Sequence, residues 1–370
     1  MQITHIETFP VLVPIRPERA IKSARGYHTT SPFLFLHIHT DSGITGVGEV
    51  SCTPIWSGED HVTAGHYIRN LIAPSLIGED PCQIENLVRR MDSLLAENLF
   101  TKAGIEMALW DIVGKMANLP LYRLWGGKVR DFVPTKFSIS GQTPERAAEI
   151  AAWAKAEGFK TVKVKVGTDP KEDIERVCAV REALGNDIRL GVDANGGWSV
   201  RDAIKTLHQL ESENLLFAEQ PVSPLDPAWM ADVRRNVSLP IMADESLFSL
   251  PQAVTLVRAD AADIFSLYVG KGGGLGAARK MAGIAEAAGL SCTVGSNLEL
   301  GVASAAMTHL ALATSGIHAE KYPCDIIGMF YYEEMFVKAP LPIIAGEARC
   351  TELPGLGVEL DLDKVRSCAP

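Results

Sequence analysis

The sequence predicts an α/β protein: a (β/α)8-type TIM barrel with an N-terminal α+β module that a C-terminal segment completes. Three observations carry this. From about residue 134, eight short β-branched or apolar runs alternate with helix-like stretches; the first 125 residues follow a different rhythm; and the tail after about 335 is rich in turns. The expected divisions are 1–125, 126–335 and 336–370.

The eight runs are "VPTKFSIS" (133–140), "TVKVKVG" (161–167), "IRLGVDA" (188–194), "NLLFAEQP" (214–221), "LPIMADES" (239–246), "ADIFSLYV" (262–269), "LSCTVGS" (290–296) and "GIHAEKY" (316–322). Between them, "PERAAEIAAWAKAEGF" and "LGAARKMAGIAEAAGL" repeat apolar residues near the helical period and end close to a glycine. Eight such units in roughly 200 residues suit a closed barrel better than an open doubly wound sheet. In the N-terminal module "PFLFLHIHTDSGITGVGEV" reads as two strands around the DSG turn, and "AGIEMALWDIVGKMANLPLYRLWGG" as helix. The tail "LPIIAGEARCTELPGLGVELDLD" is too short for its own core and is expected to pack on that module.

The chain has 370 residues, 47% hydrophobic and 22% charged, enough for a large core or two domains. Its net charge of −10 argues against a nucleic-acid or polyanion partner. No stretch approaches the ~20 apolar residues that span a membrane. The start "MQITHIETFPVLVPI" lacks the basic and apolar regions of a signal peptide. Seven cysteines, scattered, odd in number and without CxxC spacing, are neither a disulfide framework nor a zinc site. A cytoplasmic protein with reduced thiols and a small-molecule partner is expected.

Polar residues collect at the C-terminal ends of the strand runs, where barrel enzymes build their sites. In "KVKVG", Lys163 and Lys165 are two apart and share one strand face. "GVDANGGW" ends in Asp193 and Asn195, "FAEQP" in Glu219, and "MADES" in Asp244 and Glu245. One acid at a strand end reads as a helix N-cap. Three (Asp193, Glu219, Asp244), spaced one βα unit apart and each following an apolar strand, read as oxygen ligands for Mg²⁺, with Mn²⁺ the alternative. Burying two lysines needs anions nearby, and these carboxylates supply them.

With "GITGVGE", "ALWDIVGKMANLPLYRLWGG", "KVKVG", "VDANGGW", "AEQP", "ADES", "KGGGL" and "NLELG", the chain resembles the enolase superfamily along nearly its whole length. The branch it resembles is that of the muconate-lactonizing enzymes (muconate cycloisomerases) and dipeptide epimerases. The resemblance implies a Mg²⁺-bound carboxylate substrate that loses its α-proton to give a metal-held enediolate. It assigns Asp193, Glu219 and Asp244 to the metal and Lys165 to acid/base catalysis, with the charge of Lys163 lowering the pKa of Lys165. The chemistry agrees: an α-proton is weakly acidic, and a lysine base must be neutral near about pH 7.

Relatives in this branch carry a second lysine five residues before the Gly-Gly pair, on the opposite face of the substrate. Here that count reaches Tyr268; a slip in register would bring in Lys271 instead. A tyrosine, of pKa ~10, is no equivalent of lysine. It is read either as a second acid/base or as an aromatic wall. The seventh strand lacks the histidine of the mandelate-racemase branch; His309 is expected in the core, and His318 is a lesser pocket candidate. At the eighth strand "CDIIG" keeps Asp325 but has Ile327 where dipeptide epimerases carry a second acid. Glu299 would orient a proton or a water, or serve a helix N-terminus. Ser138, Ser140, Ser296 and Asn297 are candidates for the mouth. The loops 21–32 and 52–61 match the two that close over substrate, offering Arg25, Tyr27, His28 and Trp56.

The leading expectation is an isomerase or lyase acting from one face, either a cycloisomerase or a dehydratase. The alternatives are an epimerase or racemase pairing Lys165 with Tyr268 or Lys271, and a non-catalytic carboxylate-binding relative. The resemblance further implies a homo-oligomer, from dimer to octamer.

Overall fold

The computed structural model describes residues 1–368. Its N-terminal module is an antiparallel sheet of β1 (Ile3–Pro14), β2 (Thr30–Thr40) and β3 (Thr45–Ser51), in that spatial order. One face, with Ile6, Leu34, Leu36 and Ile38, buries against α1 (Leu99–Ala117) and the helix Ile84–Leu94. The fit is close enough to demand glycine. A Cβ on Gly48 would stand 2.0 Å from the Gly104 carbonyl oxygen, and one on Gly46 would stand 2.1 Å from that of Ala108. This backbone-to-backbone approach accounts for the glycine spacing in "GITGVGE". Helix α1 is apolar nearly all round, as a helix packed between two layers must be.

The second body is a curled sheet of seven parallel strands in sequential order. They are β4 (Phe137–Ile139), β5 (Thr161–Lys165), β6 (Arg189–Asp193), β7 (Leu215–Glu219), β8 (Ile241–Ala243), β9 (Ile264–Leu267) and β10 (Ser291–Val294). Helices separate them: α2 (Pro144–Ala156), α3 (Pro170–Leu184), α4 (Val200–Gln209), α5 (Pro227–Asn236), α6 (Leu250–Arg258) and α7 (Leu275–Ala287), with α8 (Gly301–Ala313) after β10. Asp169, Ser199, Asp226 and Ser249 cap α3 to α6 through their side chains, which ends each βα loop sharply.

Two strand expectations change. The run 316–322 forms no regular eighth strand. The chain turns at His318, whose carbonyl accepts from Lys321 and Tyr322 N–H, and Pro323 has no N–H to give a ladder. Closure passes instead through isolated bridges, Cys292 with Ile317 and Thr135 with Cys324. The run 133–140 splits: Val133–Pro134 pairs with Glu347–Ala348 of the tail, and only Phe137–Ile139 joins the barrel sheet. The tail thus touches both bodies. Phe336 packs on Phe35 and Tyr332 on Phe33, with ring centroids 5.7 and 5.6 Å apart. Among the described residues, no helix is long and apolar enough to cross a membrane.

The two bodies are joined through helix ends. Neither α7 nor α8 has a side-chain cap of its own. Glu106 of α1 reaches over to accept from Leu275 N–H (2.7 Å) and Gly276 N–H (2.8 Å). Glu49 of β3 accepts from Leu300, Val302 and Ala303 N–H at 2.7 to 3.1 Å. A carboxylate facing unsatisfied N–H groups and the positive helix end is a favourable pairing. Burial nevertheless raises Glu106 to about 7 and Glu49 to about 8.

This gives a signed prediction. An acid raised from 4.5 to about 7 on folding holds extra proton in the native state, so its contribution is full below 4.5 and is lost as pH rises through 7. Glu106→Gln does not titrate. Its stability deficit against wild type, measured by urea unfolding across that interval, should shrink as pH rises. A constant deficit would refute the assignment.

Candidate active site

The parallel register sets the chemistry at one rim. Lys165 pairs with Asp193, and Asp193 with Glu219, across β5, β6 and β7. Lys163 Nζ lies 2.9 Å from Glu219 Oε2, 3.1 Å from Asp325 Oδ2 and 3.2 Å from Asp193 Oδ2. Lys165 Nζ donates to Asp193 Oδ2 (2.7 Å) and to Asn195 Oδ1 (2.9 Å). The two ammonium groups therefore share a single carboxylate oxygen. Both line a cavity of about 250 Å³ at the barrel mouth, but Lys165 is the more open, its side chain 14% exposed against 4%.

Charge here is finely balanced. Burial works against the ionised form of Lys163, but Asp325, Glu219 and Asp193 outweigh it and hold the amine well above its usual range. Burial likewise opposes ionised Asp193, yet Lys165 and Lys163 keep that carboxyl below the ordinary range. Glu219 goes the other way. Burial raises it to about 8, Lys163 opposes this, and the neighbouring carboxylates Asp193, Asp244 and Asp325 add to it. Glu219 Oε1 and Asp325 Oδ1 are buried without a hydrogen-bond partner among the described residues. Orphaned oxygens among crowded carboxylates mark a donor set with acceptors to spare, which fits a hard divalent cation. The third acid stands apart. Tyr268 Oη donates to Asp244 Oδ2 (3.0 Å), and Lys271 Nζ donates to its Oδ1 and main-chain oxygen. Held this way, the Asp193, Glu219 and Asp244 oxygens do not form a group with all members within 4.8 Å.

Most of the wall residues expected from the sequence do meet. Arg25, Tyr27, His28, Trp56, Ser138, Asn195, Tyr268, Ser296 and Asn297 all line the cavity. The strand pair Ile21–Ser23 and Gly26–His28 carries the first three over the mouth. Arg25 Nε donates to Glu245 Oε1 (3.1 Å), which also accepts from Asn195 Nδ2 (3.0 Å). His28 Nε2 lies 2.9 Å from the Thr30 carbonyl oxygen, and Asn297 Nδ2 donates to the Ser51 carbonyl (2.8 Å). Trp56 stacks on Tyr268 with centroids 5.3 Å apart and planes at 15°. Burial, then Asp244, pushes the Tyr268 phenol well above its usual value.

Four expectations are corrected. Lys271 is fully buried, and its amine is spent on Asp244 and the Ser266 carbonyl, because the turn through 269–273 swings it back under the strand ends. It does not reach the cavity. Glu299 also lies behind the wall, accepting from Ser296 Oγ and Asn297 N–H, while the α8 N-terminus belongs to Glu49. Ser140 accepts from Lys22 N–H and steadies the hairpin at 21–28 without facing the cavity. His318 is exposed beside Ser291, at the start of β10 and so at the far end of the barrel. His309 is in the core, stacked on Tyr122.

One residue was overlooked. Lys136 is completely buried, 2.9 Å from Asp325 Oδ2, and donates to the Pro323 carbonyl. The alternation Lys136, Ser138, Ser140 put it on the barrel-facing side, a readable signal for a buried cation needing an anion. Asp325 thus bridges Lys136 and Lys163. Asp325→Ala should leave the buried Lys136 amine without an anion and destabilise the chain by about 3–5 kcal/mol. Urea unfolding in a chelator would measure it; a loss below ~1 kcal/mol would show that the bridge contributes little.

Comparison with known proteins agrees with this geometry. The mandelate racemase/muconate lactonizing enzyme N-terminal domain matches residues 4–126, and the enolase C-terminal domain-like family matches 145–365. The N-succinyl-L-Arg/Lys racemase of Bacillus cereus is 35% identical, over 99% of this chain and 97% of its own. A crystal structure of that racemase superposes with a TM-score of 0.95, covering 100% of this chain and 98% of its own at 34% identity. The chloromuconate cycloisomerase of Cupriavidus pinatubonensis is 32% identical over 96% of both chains. The L-Ala-D/L-Glu epimerase of Bacillus subtilis is 34% identical over 86% of this chain and 87% of its own. The chain is an enzyme belonging to the mandelate racemase/muconate lactonizing enzyme family of the enolase superfamily.

Proposed function

We propose that the protein takes or returns the α-proton of a small carboxylate from one face, with Lys165 as the acid/base, and so works as a cycloisomerase or a β-eliminating lyase. The observation that carries this reading is the asymmetry of the cavity. Lys165 opens onto it. The place of a second lysine is taken by Tyr268, engaged with Asp244 and stacked on Trp56. The other nearby amine, that of Lys271, is sealed off.

Enzymes of this family use Mg²⁺, and Asp193, Glu219 and Asp244 are the residues that would hold it here, or Mn²⁺ in its place. When bound, the ion supplies positive charge against the charge that gathers on the substrate carboxylate as the α-proton leaves. The chain's own groups do the rest. Asp193 and Asn195 aim the Lys165 amine, and Lys163 is committed to three carboxylates rather than to substrate. Trp56, Leu298 and Ile327 give the cavity apolar walls that exclude water. Arg25, at the rim, is placed to meet a distal anionic or hydroxylated end if it leaves Glu245. A cytoplasmic homo-oligomer remains part of this reading.

A second reading has two observations in its favour: Tyr268, whose phenol bears a proton, lines the cavity, and several relatives are named as racemases or epimerases. The two readings separate in D₂O. With Mg²⁺ and a carboxylate panel followed by NMR, Lys165→Ala should cut α-proton exchange or turnover by roughly 10²–10⁴-fold. Tyr268→Phe should stay active without inverting the centre. Epimerisation that Tyr268→Phe abolishes would make Tyr268 the second acid/base. Chelation of Mg²⁺ should stop turnover in wild type.

A further inference from the structure

A second cluster lies on the N-terminal sheet, and none of its members lines the barrel-mouth cavity. His37 and His39 are two apart on β2 and so project from one face. The β1–β2 register sets Glu7 opposite His37 and His5 opposite His39. The ligand atoms of Glu7, His37 and His39 all fall within 4.8 Å of one another, and His39 Nε2 is 3.6 Å from Glu7 Oε2. All three side chains are half-buried, open enough for an ion to enter and held enough to be preorganised. The His5 ring stacks against His39, its centroid 5.9 Å away.

We propose that Glu7, His37 and His39, with His5 beside them, form a binding site for a borderline divalent transition-metal ion, Zn²⁺ foremost, separate from the carboxylate site of the barrel. Two imidazoles and one carboxylate are the donor set such ions take, whereas Mg²⁺ and Ca²⁺ prefer oxygen alone. The surroundings suit it. His39 Nδ1 lies 3.2 Å from Thr45 Oγ1 on the neighbouring strand; with the proton on Nδ1, that contact leaves the Nε2 lone pair facing Glu7. The other His37 neighbours are Phe9, edge-on at 5.5 Å, and the Lys115 ammonium, which is tied to Asp111 at 2.7 Å. Burial, then the charge of His39, keeps His37 neutral down to about 4, the form a metal needs. Because the ligands come from two paired strands, the ion would clamp the start of β1 to the end of β2 and stabilise the sheet.

Cu²⁺ serves as the probe, being bound most tightly of the first-row divalent ions. With Mg²⁺ in excess to occupy the barrel, one equivalent of Cu²⁺ added to the whole protein should show an EPR spectrum split by imidazole nitrogen. His39→Gln and Glu7→Gln should each weaken Cu²⁺ and Zn²⁺ by at least about tenfold, and Thr45→Val by roughly tenfold. Zn²⁺ should raise the Tm of wild type and not that of His39→Gln. All of these side chains are half-exposed, and the apo Tm of each variant reports whether it folds. A spectrum without nitrogen splitting, or splitting that survives in both His37→Gln and His39→Gln, would overturn the proposal, as would a Zn²⁺ shift in Tm equal in wild type and His39→Gln.

Discussion

The arrangement of the barrel mouth depends on one buried ammonium group. Lys163 sits among Glu219, Asp325 and Asp193, each contact at 3.2 Å or less, in a setting where an uncompensated charge of either sign would cost several kcal/mol. Its neighbours are bound in turn: Asp193 to Lys165, and Asp325 to Lys136. The result is a chain of alternating charges from the base of β4 across to the open amine of Lys165. Even so, it leaves carboxylate oxygens of Glu219 and Asp325 without partners. The charges pair off, but these oxygens are left with unused acceptor capacity, and that is what makes a divalent cation physically reasonable there.

The N-terminal module is fixed to this site by the same kind of force. Glu49 and Glu106 belong to the N-terminal module but end on the helices that follow β9 and β10. A carboxylate on a helix end sets distance and direction together, more sharply than apolar contact does. With the sheet so anchored, the pair of strands at 21–28 and Trp56 arrive over the mouth in a defined position. Arg25 meets Glu245 there, and Trp56 covers Tyr268. Both modules therefore build the cavity: the N-terminal one covers the mouth with Arg25 and Trp56, and the barrel supplies the lysines and carboxylates beneath.

The proposed one-face reading turns on Tyr268, and its contacts say what a tyrosine rather than a lysine does there locally. A lysine there would bring a further cation toward Asp244, which Lys271 already serves. The tyrosine instead brings a neutral donor and a flat ring for Trp56. Polarity across the cavity becomes lopsided, with the open amine on one side and aromatic surface on the other. Relatives of similar identity are named as cycloisomerase, racemase and epimerase, so overall likeness does not choose between them; under the proposed reading, the side chain of Tyr268 does.

Much of this was legible in the sequence, because it is written in short-range patterns. Strand alternation placed Lys163 and Lys165 on one face, and the βα repeat put Asp193, Glu219 and Asp244 at one rim. The glycine count singled out Tyr268 over Lys271, and the structure has Tyr268 on the cavity wall and Lys271 beneath it. What the sequence could not decide was partnership between distant residues. That Glu49 rather than Glu299 serves α8, that Asp325 joins Lys136 to Lys163, and that the barrel closes through bridges at Ile317 and Cys324 all depend on contacts between segments far apart in the chain. Periodicity tells which way a side chain points; only the packed structure tells what it meets, since burial and charge are properties of the neighbours and not of the residue itself.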